Sequence, residues 1–511
     1  MQIIDNKALL LRLRHPQKVT TVIPKSKELH NNQVLVNWGL EEAQVLRNLN
    51  IKVPSPILGT YDWPGKYSPM EHQRHTAEFL TMHKRSFCFS EQGTGKTASA
   101  IWASDYLLKK GYIKRVLIVC PLSIMDSAWR ADLFTFAMHR TVAICHGSAK
   151  KRKDILAMNT EYVIINYDGI KIVQEEIDKG GFDLIIVDEA NHYKNAQTDR
   201  WKVLYNIAKP HVWMWMMTGT PAAQSPVDAY GLAKMINPNA VPRFFGSFRD
   251  LVMNKISQFK WAPKLDAHTL VHQVLQPAIR YTKDECLDLP DMMYVTRNVE
   301  LTKQQKQYYD QLRKQLAIAA DGELISAANA AIAMNKLLQI SCGAVYSDEG
   351  ETIEFDMKNR YKVLQEVIQE TTQKVLVFVP FRHTISLLSN KLNAEGVMTE
   401  TIHGGVSAAN RADIFRRFQD SPDTRVLVIQ PQSAAHGVTL TAANTVVWWG
   451  PTPSLEIYAQ ANARVHRNGQ KHSCTVVHLQ GSDVEKRMYS MLQGRINVHE
   501  KMIDLYKELL D

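Results

Sequence analysis

The chain has 511 residues, 45% of them hydrophobic and 22% charged, the balance of an ordinary soluble globular protein of two to four domains. Its 61 lysines and arginines against 51 aspartates and glutamates leave a net charge of +10, the sign expected of a polyanion binder. No apolar run reaches the ~20 residues needed to span a bilayer, the N-terminus is too polar for a signal peptide, and the six cysteines lie far apart with no C-x-x-C pair, so membrane helices and disulfide or zinc frameworks are not expected.

The first 64 residues stand apart from the rest. "ALLLRLRHPQKVTTVIP" reads as a small hairpin turning at His15-Pro16, "GLEEAQVLRNLN" as a short helix and "VPSPILGTYDWPG" as a proline-rich connector. Over 65–224 short β-branched runs recur, "RSFCF", "RVLIVCP", "EYVIINY", "DLIIVDEA" and "VWMWMMTGT", separated by helical stretches such as "TASAIWASDYLLKK". Continuous apolar strands between helices predict a parallel sheet covered on both faces. From 225 to 346 the pattern turns helix-like, with apolar residues three and four apart in "KQQKQYYDQLRKQLAIAA" and "ISAANAAIAMNKLLQI". The polar stretch 347–359 reads as a linker. Strands return over 360–482 in "KVLVFVP", "MTETIHG", "RVLVIQP", "TVVWWGP" and "CTVVHLQ", a second parallel-sheet domain, and 483–511 reads as a C-terminal helix.

The chemistry starts at "SEQGTGKT", Ser90–Thr97, directly after the apolar run Phe87-Cys88-Phe89. A plain strand-to-helix turn accounts for the glycines only. A phosphate loop accounts for the whole stretch: Gly93, Thr94 and Gly95 let backbone N–H groups wrap a polyphosphate at a helix N-terminus, Lys96 reaches the β- and γ-phosphates and the Thr97 hydroxyl holds Mg²⁺. Ser90 stands where the signature has its first glycine. Such a loop calls for an acidic residue at a neighbouring strand end, and "LIIVDEANHYKN" supplies Asp188 as the magnesium ligand and Glu189 to orient and deprotonate the attacking water. A cation set against the transition-state charge is the remaining need, and "QANARVHRNGQ" offers Arg464 and Arg467, three apart and so on one side of a helical turn.

The ordered set "MEHQ", "SEQGTGKT", "VLIVCPLSIMDSAW", "IINYD", "DEANHYKN", "MTGTPAAQSPVDAYGL", "SAAHGVTLT" and "QANARVHRNGQ" resembles the Swi/Snf-like branch of superfamily-two helicases, DNA-translocating ATPases, in the versions found in phage and prophage. The resemblance implies an α/β fold of two RecA-like parallel-sheet lobes with helical insertions, the nucleotide lying between them. It implies ATP and Mg²⁺, with Gln73 reading adenine and Gln460 joining Arg464 and Arg467 in the finger motif. Thr218, Gly219 and Thr220, with Gly437, match positions that couple nucleotide state to nucleic-acid grip. Pro121, Leu122, Ser123, Asn166 and Tyr167 match loops that touch the nucleic-acid backbone. Asn191 replaces the usual His or Gln of the acidic box, and "GPTPSLE" stands where the family has a tryptophan-asparagine-proline element.

The function implied is an ATP-dependent motor on double-stranded DNA, with branched DNA as a further substrate, in the cytoplasm of a bacterial or phage-infected cell. The alternatives are a strand-separating or branch-migrating helicase, which uses the same engine with an added wedge, and a non-catalytic DNA-binding scaffold, which has no reason to keep Lys96, Asp188, Glu189, Arg464 and Arg467 together.

Overall fold

The computed structural model describes residues 1–219, 221, 225–257, 261–286, 289–320, 327–346, 352–434 and 438–494, with backbone alone for 315–320, 327–331 and 408. The chain divides into two compact units, one of Met1–Ala222 with Pro226–Cys286, the other made chiefly of Leu287–Asp511.

The first unit begins with a four-stranded antiparallel sheet in the order Gln2–Ile4, Ala8–Arg12, Gln33–Asn37, Lys27–Leu29. Its tight turns fall at Asp5-Asn6 and Asn31-Asn32, all four residues at positive φ, the conformation that Asn and Asp tolerate best among side-chain-bearing residues. The expected reversal at His15-Pro16 is therefore not a hairpin turn. Pro16 has a φ of −57°, which suits a helix start, and the helix Gln17–Val22 follows it. The expected short helix is present as Leu40–Asn48. Leu9, Leu11, Val34 and Val36 alternate inward and share one core with Leu40, Leu46, Leu80, Ile101 and Trp102.

The main sheet of this unit has seven parallel strands in the order Ala278–Ile279, Arg85–Cys88, Trp213–Met217, Leu184–Val187, Val116–Cys120, Tyr162–Asn166, Val142–Cys145. Successive residues of one strand enter different cores: Val116, Ile118 and Cys120 join one cluster, Leu117 and Val119 the other. That is the expected sheet covered on both faces.

The second unit repeats the plan with six parallel strands in the order Met292–Asn298, Cys474–Gln480, Ala443–Trp448, Lys374–Phe378, Val426–Ile429, Thr399–Ile402. Val375 and Val377 pack into one core and Leu376 and Phe378 into another. Its last described helix, Asp483–Leu492, is tied in by a fully buried ion pair, Arg360 with Glu485 at 2.7 Å, and Arg360 also donates to the Trp449 carbonyl. Glu485 Oε2 in turn accepts the Gly481 and Ser482 amides, which adds charge-assisted bonds to the pair.

The stretch read as helix-like from 225 to 346 holds five substantial helices, Ala229–Ile236, Phe245–Val252, Ala267–Val274, Lys303–Ala320 and Ala327–Cys342, and also strands. Ala278–Ile279 extends the first sheet and Met292–Asn298 runs seven residues in register along the edge of the second. The second of these is an edge strand with most of its side chains exposed, so it lacks the apolar run that marked the central strands. Thr352–Glu354, inside the segment read as a linker, pairs with Ala344–Tyr346. Both units are RecA-like in plan: α/β lobes built on a parallel sheet with helices on each face.

Candidate active site

The phosphate loop leaves the carboxyl end of Arg85–Cys88 and enters the helix Lys96–Lys109. Gly93 and Gly95 have φ of 88° and 80°, a region costly for residues with a Cβ. A Cβ at Gly95 would also have to displace the Gln73 side chain, whose nitrogen would lie 2.0 Å from it. The loop is thus a cradle bounded by backbone, of the kind that lets N–H groups approach phosphate oxygens. The Lys96 ammonium donates to the Ser90 carbonyl at 2.7 Å and to the Glu91 carbonyl at 3.1 Å, which folds it across the loop. The Thr94 hydroxyl donates to the same Glu91 carbonyl at 2.8 Å.

Two neighbours hold the loop. The helix Glu71–Met82 brings His72, whose Nε2 lies 2.7 Å from the Thr94 carbonyl, and Gln73, which accepts the Met70 amide at 2.9 Å and donates to Thr94 at 3.4 Å. On the other side the chain from Pro277 to Lys283 runs alongside as a strap: the Phe87, Phe89 and Glu91 amides donate to the Pro277, Ile279 and Tyr281 carbonyls. The loop's side chains return the bonds, Ser90 Oγ accepting the Tyr281 amide at 3.1 Å and the Glu91 carboxylate accepting the Lys283 amide at 3.1 Å. Ser90, where the signature has glycine, therefore has a structural task.

Sheet order brings the acidic pair to the same edge. Cys88 is in register with Met217, and Met216 with Val187, so the phosphate loop, Thr218 and Asp188 follow three adjacent parallel strands at their carboxyl ends. Buried Thr218 donates its amide to the Cys88 carbonyl, and Gly219 lies against Gln92. The Asp188 carboxylate is oriented by the Trp129 indole N–H at 2.9 Å on one oxygen and by the Glu189 amide at 3.0 Å on the other. Glu189 takes a φ of 48°, a left-handed conformation uncommon for a residue with a side chain, which turns the chain sharply after Asp188. Buried Asn191 lies in the short helical turn that follows.

The sheet beneath is electrically quiet. Burial, partly opposed by the Lys96 ammonium, raises the Cys88 thiol, while burial and the Asp188 carboxylate push Cys120 well above the usual range. Both thiols stay protonated and serve as packing groups. The Thr97 hydroxyl and the Asp188 carboxylate are hard oxygen donors, the chemistry that suits Mg²⁺ shared with phosphates.

The loops expected to touch nucleic acid divide. Leu122 is 56% exposed and Ser123 is exposed, beside buried Pro121. Asn166 accepts from Arg152 at 3.2 Å. Tyr167 is buried and donates its hydroxyl to the Asp188 carbonyl at 2.7 Å; burial and then the Asp188 and Glu189 carboxylates hold that phenol far above its usual pKa. Trp129 and Tyr167 thus brace the acidic turn from two sides. Sequence reasoning assigned Trp129 no role, although it stands inside a quoted motif, and a wide π-helical turn, Met125–Arg130, carries it.

In the second unit Gln460 is buried on the helix Leu455–Asn462. Arg464 and Arg467 lie past its end, in a turn and not on a helical face as the spacing suggested. The helix stops because the Asn462 side chain accepts the Trp448 indole and Gln470 donates into the Ala443 and Val465 carbonyls, pulling the chain back to the sheet. Arg464 donates to the Gln460 carbonyl at 3.0 Å and Arg467 to the Val438 carbonyl at 3.1 Å. Thr220 and Gly437 lie outside the described residues.

Comparison with known proteins matches residues 72–360 to the SNF2-related domain and 359–469 to the helicase conserved C-terminal domain. The chain is similar to Putative protein p41 of Acyrthosiphon pisum secondary endosymbiont phage 1, 25% identical over 78% of this chain and 88% of that protein. It is 24% identical to the Chromodomain-helicase-DNA-binding protein 1-like of Danio rerio over 83% of this chain, and spans 43% of that relative's length. Among solved structures, the Sulfolobus solfataricus SWI2/SNF2 ATPase core in complex with dsDNA aligns over 88% of this chain and 97% of its own, with 21% identity and a TM-score of 0.42. With a domain model covering more than half of its length, its phosphate loop and acidic turn on one sheet edge and a second parallel-sheet unit carrying the helicase C-terminal match, the chain belongs to the SNF2-related family of superfamily-two ATPases.

Proposed function

We propose that the protein is an ATP-driven motor that moves along double-stranded DNA and remodels DNA or protein–DNA complexes. The observation that carries this reading is the preformed phosphate loop, its lysine folded onto two loop carbonyls and its acidic partner braced on the same sheet edge, within the family match. The net charge of +10 and a relative whose name includes DNA-binding support DNA as the track.

In this reading the Gly93, Thr94 and Gly95 amides bind the polyphosphate and Lys96 turns from the Ser90 and Glu91 carbonyls to the β- and γ-phosphates. Gln73 recognises adenine. Thr97 and Asp188 would hold Mg²⁺, whose charge would offset that of the phosphates. Glu189 orients the attacking water and takes its proton, while Arg464 and Arg467, with Gln460 from the same motif, stabilise the charge that develops on the transferred group. Thr218, Gly219, Thr220 and Gly437 couple nucleotide state to grip. Pro121, Leu122, Ser123 and Asn166 meet the DNA backbone, and Tyr167 links that loop to the Asp188 turn. Such contacts follow phosphates and carry little sequence preference.

The test is ATP hydrolysis by the purified chain with no nucleic acid, single-stranded DNA, duplex, forked DNA and RNA in parallel, alongside displacement of a triplex-forming strand. Strongest stimulation by duplex, with triplex displacement and no net unwinding, is expected. Stimulation by single strands with unwinding of a tailed duplex would favour a strand-separating helicase, and binding without hydrolysis a scaffold.

A further inference from the structure

The N-terminal four-stranded sheet precedes both family matches, the first of which begins at residue 72. One of its faces is buried through Leu9, Leu11, Val34 and Val36. The register fixes what the other face presents. Leu10 stands opposite Leu35, Arg12 opposite Gln33 and Lys27 opposite Leu35, so Gln2, Ala8, Leu10, Arg12, Lys27, Leu29, Gln33 and Leu35 share the outward side. Arg14 lies in the bend two residues after Arg12, and Lys25 in the turn two residues before Lys27. Arg12, Arg14, Lys25 and Lys27 are all exposed, and no ion pair engages them among the described residues. From Leu10 to Lys27 the outward positions carry no carboxylate, since Glu28 pairs with Val34 and belongs to the opposite side; at the far end Asn37, opposite Ala8, donates to the Glu42 carboxylate at 3.5 Å.

Charge is concentrated here. Residues 1–37 hold six lysines and arginines, Lys7, Arg12, Arg14, Lys18, Lys25 and Lys27, against two carboxylates, so they carry +4 of the chain's +10. Like charges side by side repel unless an anion lies over them. The same residues include no Phe, Tyr or Trp. Proteins that hold single strands stack bases on aromatic rings, whereas a face of cations around short aliphatic side chains can follow only a phosphate backbone.

We propose that the outward face of this sheet is a second nucleic-acid contact, in which Arg12, Arg14, Lys25 and Lys27 hold the phosphate backbone of duplex DNA away from the ATPase motifs. The face anchors the motor to its track without reading sequence. It takes its choice of duplex from the motor reading, but its charge and register stand independently of hydrolysis.

The test uses the full chain with Arg12→Gln, Arg14→Gln, Lys25→Gln and Lys27→Gln combined, and a ~30-base-pair fluorescent duplex titrated across a salt series. Each neutralised phosphate contributes about 0.9 to the log–log salt slope, so the slope is expected to fall by up to about 3.6, with duplex affinity at 0.1 M salt weakened on the order of 10-fold to 100-fold. ATP hydrolysis without DNA stays unchanged. A second variant, Arg12→Lys with Arg14→Lys, keeps the charge and is expected to keep the slope, which separates lost charge from damaged folding. An unchanged slope and affinity in the fourfold variant would overturn the proposal, as would loss of binding to anionic phospholipid vesicles with duplex binding intact. If the unaltered chain binds duplex and is stimulated by it while the fourfold variant matches it, only this proposal fails; no duplex binding by the unaltered chain overturns the motor reading.

Discussion

Glu91 and Lys283, 192 residues apart in the chain, are joined by one hydrogen bond in which the Glu91 carboxylate accepts the Lys283 amide at 3.1 Å. With Ser90 and Tyr281 beside them, they fasten the phosphate loop to the strap. Ser90→Gly, which restores the more common loop residue, and Glu91→Ala each remove one of these acceptors. Each is expected to lower stability by about 1 kcal/mol in urea unfolding, with Glu91→Gln recovering most of the loss because it keeps an acceptor oxygen. If Glu91→Gln unfolds as early as Glu91→Ala, the bond has no such role.

Lys96→Ala is expected to lower ATP turnover by a factor on the order of 10³ while duplex affinity stays within about threefold, because the lysine serves phosphates at the loop. Turnover at the normal rate would sink the phosphate-loop assignment. Filter binding and a coupled ATPase assay on the same preparation give both readings.

Trp129→Phe keeps the ring but removes the indole N–H that aims the Asp188 carboxylate. Groups behind a metal ligand commonly matter by about 10-fold to 100-fold in metal affinity or activity. The variant should therefore need about tenfold more Mg²⁺ for half-maximal hydrolysis, while saturating Mg²⁺ restores most of the rate. A Mg²⁺ titration that overlays the unaltered protein would remove Trp129 from the site.

Arg467→Ala is expected to reduce kcat by a factor on the order of 10³ with little change in KM, as for a cation that acts on transition-state charge. The arginine has to leave the Val438 carbonyl to do so, which is a modest cost beside the gain. A change confined to KM would make it a binding residue.

His478 gives a pH dependence unconnected with catalysis. It is fully buried between Tyr458, whose hydroxyl lies 2.9 Å from Nε2, and Gln493, with Tyr489 stacked on the ring at 4.3 Å. Burial lowers its pKa from 6.5 to about 4. The unfolded chain then binds the proton more readily than the folded one between those values, so stability is full above about pH 6.5 and falls as pH drops toward 4, by about 3 kcal/mol in total. His478→Gln should flatten that part of the unfolding midpoint against pH; an unchanged profile would assign the acid sensitivity elsewhere.

The central strands were legible because buried parallel strands must be apolar at every position, and Val116–Cys120 or Leu184–Val187 can hardly be read otherwise. Val142–Cys145 and Met292–Asn298 sit at sheet edges, where partly exposed side chains blur the signal. The glycine loop before Lys96 and the turn at Asp188 were readable as candidates because the chemistry proposed for them requires particular residues at short spacing. The strap was not, because Ser90 meets Tyr281 only through topology and nothing local to either residue announces the other. The arginine turn was misjudged for the same reason: Asn462 ends the helix through an indole fourteen residues away.

The pairing of Met292–Asn298 with Cys474–Gln480 sets the order in which the polypeptide can fold as it leaves the ribosome. The first sheet is complete once Ile279 has emerged, whereas the strand at 292–298 has no partner until about 180 further residues are made, roughly 10–35 s at typical synthesis rates. During that interval it is an unpaired strand that carries Met293 and Tyr294, a segment open to wrong pairing. Ribosome-bound chains halted before residue 474 should accordingly hold a protease-resistant first unit joined to a protease-sensitive second half.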